Sequence, residues 1–160
     1  MFTIQTVRIV LPTPTSVLRF FPFGDVHYDA PGFDEDRFRR YLARACEADP
    51  ECAVALLMGD EVDTASFSER RGLADARLHE STARTLDTDA WRRLNRLNNA
   101  LRGFRGTWAG ALEGNHHWAW LDRRGQPEKG IFFGETSTDW LAKRLKTKNL
   151  GYLSYIRFQL

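Results

Sequence analysis

Aspartate, histidine or asparagine follows a glycine in each of three short blocks of this chain: Phe23-Gly24-Asp25-Val26-His27, Met58-Gly59-Asp60-Glu61-Val62-Asp63 and Glu113-Gly114-Asn115-His116-His117. Each block follows an apolar, strand-like run, so each would hang polar side chains off the end of a strand. Oxygen and imidazole donors gathered at strand ends are what a hydrolytic dinuclear metal centre needs. Asp25 and His27 are one residue apart and project to the same side of an extended strand end, an N/O clamp suited to Zn²⁺, Mn²⁺ or Fe. Asp60, after Gly59, offers a carboxylate whose two oxygens can bridge two ions. Asn115 adds a neutral carbonyl oxygen, and His116 beside it is placed to meet substrate. The glycines before Asp25, Asp60 and Asn115 let the backbone turn sharply and leave space near the ions.

The elements that must carry these blocks can be read from apolar periodicity. Phe2–Leu11 and Ser16–Phe23 are β segments, separated by the Pro12-Thr13-Pro14-Thr15 break. Asp34 caps a helix in which Phe38, Tyr41, Leu42 and Ala45 form the inner stripe, and Asp49-Pro50 stops it. Cys52–Met58 is a continuous apolar run, the pattern of a strand buried on both faces. Residues 64–88 form a polar, Arg-rich insertion, partly helical around Ala74–Thr85. A clearer helix is expected from Thr88, with Trp91, Leu94, Leu97 and Leu101 inward and arginines 92, 93, 96 and 102 mostly outward. Thr107–Leu112 is the strand leading to the third block. After a looser stretch with Gly125, Pro127 and Gly130, Ser137 or Thr138 caps a last helix containing Trp140, Leu141 and Leu145. From Ser154 to Leu160 the pattern alternates, with Ile156, Phe158 and Leu160 on one face. A half-buried strand running to the final residue is read as a strand cut short or completed elsewhere. Strands alternating with helices imply an α/β fold with largely parallel strands, and ligands in such sheets collect beyond the strands' carboxyl ends.

Composition bounds the rest. A chain of 160 residues makes a single domain with a real core, and 42% hydrophobic and 28% charged residues are ordinary for a globular protein. A net charge of +2 makes no case for nucleic acid or membrane. Cys46 and Cys52 read as reduced thiols. The apolar N-terminus is interrupted by Arg8 and Arg19, so it lacks the pattern of a signal peptide, and no run approaches a membrane span. The expected location is cytoplasmic.

Gly24-Asp25-Val26-His27, Gly59-Asp60-Glu61-Val62-Asp63 and Gly114-Asn115-His116 resemble, in order and context, the first three motifs of the calcineurin-like metallophosphoesterase family. The resemblance covers roughly residues 16–160 and implies an α/β/β/α sandwich, incomplete at its C-terminus. It implies two divalent ions, Mn, Zn or Fe, with Asp25 and His27 on the first, Asp60 bridging and Asn115 on the second. His116 would contact the scissile phosphate and protonate or stabilise the leaving oxygen, and Asp63 would hold its imidazole. The residues alone leave Asp63 also readable as a helix N-cap. The implied substrate is a phosphomonoester or phosphodiester, including nucleotides or nucleic acid.

The sequence departs from the family at three places. All four histidines lie at 27, 79, 116 and 117, so the family's later histidine and Gly-His-x-His motifs are absent. Thr64-Ala65 stands where protein Ser/Thr phosphatases carry Arg-Gly, and His117 replaces the usual acidic residue. Very weak or undetectable turnover of a generic phosphoester by the chain alone is therefore expected. An inactive fragment or partner-dependent subunit, and a nucleic-acid-binding module using the Arg-rich insertion, are the competing readings. His79 reads as a solvated side chain, His117 as a supporting or surface residue. Trp118 and Trp120 read as cover for the core rather than as stacking platforms.

Overall fold

In a computed structural model, the described residues are 3–66, 69, 72, 73, 76, 78–119 and 135–159. They form a mixed α/β structure with parallel sheets. Its centre is β3 (Ala53–Leu57), five consecutive buried residues in the middle of a three-stranded parallel sheet. Its neighbours are β2 (Arg19–Phe23) and β4 (Thr107–Ala111), in the order β2-β3-β4. The two faces of β3 serve different cores. Ala53, Ala55 and Leu57 join the cluster formed with the helices, whereas Val54 and Leu56 pack with Val7, Ile9, Ala109 and Leu150. Period-two alternation on a strand buried both ways produces this division.

The second cluster lies beneath β1 (Thr3–Arg8) and β5 (Ser154–Gln159), which pair in parallel as a separate two-stranded sheet, with Val7 opposite Phe158. The two N-terminal β segments thus enter different sheets, and the proline-rich break between them is where the chain crosses over. In β5, Ile156 is half-buried, and Phe158 meets Phe20 edge-on at 5.7 Å between ring centroids. Leu160 falls outside the described residues.

Among the described residues, three α-helices cover the other face. α1 (Glu35–Cys46) begins as expected: the Asp34 carboxylate accepts from the Arg37 amide at 2.9 Å, and Phe38 and Ala45 are buried. α2 (Glu80–Leu101) begins two turns before the expected Thr88, with the exposed His79 as its N-cap, whose Nδ1 accepts from the Ser81 amide at 3.3 Å. The polar first turns hold because Ala83 and Asp87 are buried, and Arg84–Glu80 and Arg93–Asp89 form i, i+4 ion pairs. Leu94, Leu97 and Leu101 are buried as read, and Trp91 packs against them partly buried. α3 (Ser137–Arg144) is capped by Thr136 rather than Ser137 or Thr138. Thr136 and Asp139 form a reciprocal capping box, which leaves Ser137 and Thr138 buried in the first turn. Cys46 and Cys52 are free thiols, as expected. No helix among the described residues is long and apolar enough to cross a membrane. Much of the insertion around 67–77 and the stretch 120–134, with Trp120, Gly125, Pro127 and Gly130, lie outside the described residues.

Candidate metal centre

The three motif blocks follow β2, β3 and β4 at their carboxyl ends, and the loops remain stitched together beyond the sheet. The Asp25 amide donates to the Gly59 carbonyl at 3.1 Å, His27 to Asp60 at 2.8 Å and Tyr28 to Glu61 at 3.0 Å. The chain turns sharply while keeping this pairing, so several residues take left-handed backbone angles: Asp25 at φ 53°, His27 at 45°, Asp60 at 51° and Gly59 at 92°. Each such non-glycine residue costs about 1–2 kcal/mol, and strain of this kind clusters at functional sites. Aspartate and histidine are among the side chains that best tolerate the conformation.

This geometry gathers two overlapping donor sets. Asp25, His27 and Asp60 form one, and His27, Asp63 and His116 the other, each with one ligand atom per residue within 4.8 Å of the rest. His27 lies between two carboxylates, its Nε2 2.9 Å from Asp25 Oδ1 and its Nδ1 3.3 Å from Asp63 Oδ1. A neutral imidazole can donate from only one nitrogen. A cation held by Nε2 and Asp25, with Nδ1–H donated to Asp63, would satisfy both contacts at once, the usual carboxylate–histidine–metal arrangement. The mixed carboxylate and imidazole donors suit Mn²⁺, Zn²⁺ or Fe²⁺.

His116 is held differently from the expectation. Its Nδ1 contacts the Thr64 carbonyl at 2.7 Å, and because a carbonyl only accepts, Nδ1 is the donor. The Thr64 hydroxyl in turn donates to the His116 carbonyl. Asp63 Oδ1 is 3.8 Å from His116 Nδ1, beyond hydrogen-bond range and farther than from His27. Asp63 therefore steadies His27, and Thr64 steadies His116. Asp63 starts no helix among the described residues, so the N-cap alternative falls away. The His116 amide donates to Asp60 Oδ1 at 2.8 Å, and the His27 and His116 rings meet edge-on at 4.9 Å. Asn115 is exposed in the turn between Gly114 and His116.

Gly114 allows the second and third blocks to touch. A Cβ there would lie 2.0 Å from Asp60 Oδ1 and 2.3 Å from the Asp60 amide nitrogen. Neither atom can retreat without breaking the turn that presents Asp60. Gly114→Ala is expected to lower stability by about 1–3 kcal/mol, as for other overpacked sites, and to weaken divalent-cation binding. Chemical denaturation and Mn²⁺ titration of the variant check both effects; wild-type values would show that the two loops are not pressed together.

Residues outside the predicted set support the site. Glu61 is 5% exposed and accepts from the Gly59 amide at 3.1 Å. Burial raises its carboxyl to about 7, Asp60 and Glu113 push the same way, and backbone hydrogen bonds oppose them. Arg93 is not on an outer face: it reaches the carbonyls of Asp63 at 3.3 Å and Asp29 at 3.5 Å while paired with Asp89. Arg96 holds Asp29 at 2.9 Å. The shared helical face of Arg93 and Arg96 could have flagged the pair. Glu113 accepts from Asn149 at 2.8 Å and Thr136 at 3.1 Å, tying the end of β4 to the start of α3. His117 is buried, with Nδ1 2.7 Å from the Gly114 carbonyl, which suits a supporting role. Trp118 covers the core as expected, donating from Nε1 to the buried Asp87 at 2.7 Å.

No family model, curated protein or solved structure matches this chain. What the site can do follows from its own donors and their placement.

Proposed function

We propose that this chain is a metal-dependent phosphoester hydrolase of the calcineurin-like metallophosphoesterase type. On this reading the helices, the β2-β3-β4 sheet and the β1-β5 sheet are three layers of an α/β/β/α sandwich. The observation that carries it is the convergence of Asp25, His27 and Asp60 within 4.8 Å, each on a left-handed backbone at the end of adjacent parallel strands. Asp25, His27 and Asp60 would hold one ion, and Asp60 with Asn115 a second. When bound, the ions would neutralise charge on the phosphoryl oxygens and activate water for in-line attack.

The chain's own residues orient and exchange protons around that centre. Asp60 receives the His116 amide on Oδ1, which places the His116 ring beside the ligands. With Nδ1–H committed to the Thr64 carbonyl, Nε2 is the His116 atom left to meet the leaving oxygen. Asp63 takes His27 Nδ1–H and so points Nε2 toward Asp25.

Titration of metal-free protein with Mn²⁺, followed by Mn²⁺-dependent hydrolysis of bis(p-nitrophenyl) phosphate, tests the reading. Binding no tighter than that of an Asp25→Ala/His27→Ala double variant would overturn it. Asp63→Asn is expected to weaken Mn²⁺ affinity about 10–100-fold, the usual loss when a residue supporting a ligand is changed. Its melting temperature should stay at the wild-type value, since Asp63 is partly exposed. Unchanged affinity would free Asp63 from any part in holding His27.

A further inference from the structure

An open groove of about 1000 Å³ runs from Asp25 and His27 along α1. Arg37, Arg40 and Arg44 line it, and their i, i+3, i+7 spacing sets them along one face of the helix. At about 1.5 Å of rise per residue they extend over roughly 10 Å. All three are exposed, and among the described residues none has a carboxylate partner, whereas Arg39 pairs with Glu35 at 2.6 Å. Phe33 and Tyr41 also line the groove and are half-buried. Phe33 is braced by Tyr28 and Phe38, at 4.9 and 5.6 Å between ring centroids. Of the acidic groups in the lining, Asp34 is occupied in capping α1 and Asp25 stands at the metal end.

A lone phosphate needs one or two guanidinium groups; a row of three along an open groove suits a ligand with repeating negative charge. The aromatic faces beside the row add a preference for flat, stackable groups. A basic track flanked by braced aromatic rings is the common design for binding nucleic-acid single strands. We propose that this groove binds the phosphodiester backbone of a single-stranded nucleic acid and leads it to the Asp25–His27 end of the centre. The delivery, though not the binding, rests on the phosphoesterase reading.

Fluorescence anisotropy with a labelled oligothymidylate of about 15 nucleotides tests the groove, using the full chain in EDTA at several salt concentrations. The Arg37→Ala/Arg40→Ala/Arg44→Ala variant is expected to bind at least about tenfold more weakly. Its log–log salt slope should be shallower by about 2, the loss of three contacts at roughly 0.7 each. Lysine at the same three positions should restore most of that slope, and an Arg39→Ala/Arg92→Ala control should bind as wild type. Equal binding by the triple alanine variant would overturn the proposal, as would equally tight binding of duplex DNA or equal competition by polyglutamate. Mn²⁺ titration of the same proteins separates the two readings. Wild-type chain that binds the oligonucleotide but no Mn²⁺ sinks the phosphoesterase and leaves the groove; Mn²⁺ binding without oligonucleotide binding sinks the groove alone.

Discussion

Replacing Asp60 by asparagine is expected to remove tight binding of Mn²⁺ or Zn²⁺ while leaving the fold in place. Asp60 follows β3, the central strand, and touches both neighbouring loops: its carbonyl accepts from the His27 amide and its Oδ1 from the His116 amide. Asparagine tolerates the left-handed backbone at this position and can keep an oxygen toward the His116 amide. What it loses is the negative charge in the middle of the donor set. The loss of affinity should exceed the roughly 10–100-fold typical of a supporting residue. Asp60→Ala should abolish tight binding of both ions, since on the proposed reading this carboxylate alone touches both. Metal content after dialysis, calorimetric titration and a thermal melt of each variant decide the matter. Wild-type stoichiometry and affinity in a folded variant would remove Asp60 from the bridging role.

The second large effect is expected at His116. In an active, metal-loaded form of the protein, His116→Asn should lower phosphoester turnover about 10²–10⁴-fold, the range for losing a general acid, with metal content unchanged. Asparagine can still occupy the space against His27 but cannot carry a proton to the leaving oxygen. The loss should therefore be smaller with p-nitrophenyl esters, whose leaving group needs little protonation, than with phenyl or alkyl esters. Single-turnover rates across such a series read this directly. A uniform loss for all leaving groups would assign His116 to binding the phosphate, and unchanged turnover would assign the proton transfer elsewhere.

Much of the frame was legible locally because the relevant physics is local. Asp34 as the α1 cap, the inward stripe of Phe38 and Ala45, and the doubly buried run at β3 each follow from spacing within a few residues. The cap of α3 was misplaced because Thr136, Ser137 and Thr138 are all capping types. Only the partner Asp139, three residues after Thr136, selects among them, through the box that both side chains form. That the helical stretch expected around Ala74–Thr85 runs on into the helix expected from Thr88 was hidden because the first turns of α2 carry few apolar residues. Their burial comes from Ala83 and from Asp87, whose carboxylate is satisfied by the distant Trp118 indole.

The sequence by itself determined which residues could form a site: glycine-preceded Asp25, Asp60 and Asn115, with His27 and His116, each placed at a strand end by the apolar run before it. Tertiary structure decided how they are used. Strand order is a long-range choice that alternation does not encode, so β1 pairs with β5 rather than β2. Which carboxylate steadies which imidazole depends on loops brought within a few ångströms by three separate strands. Asp63 falls to His27 and the Thr64 carbonyl to His116 because the continued pairing of the first two loops and the close approach at Gly114 leave those atoms nearest.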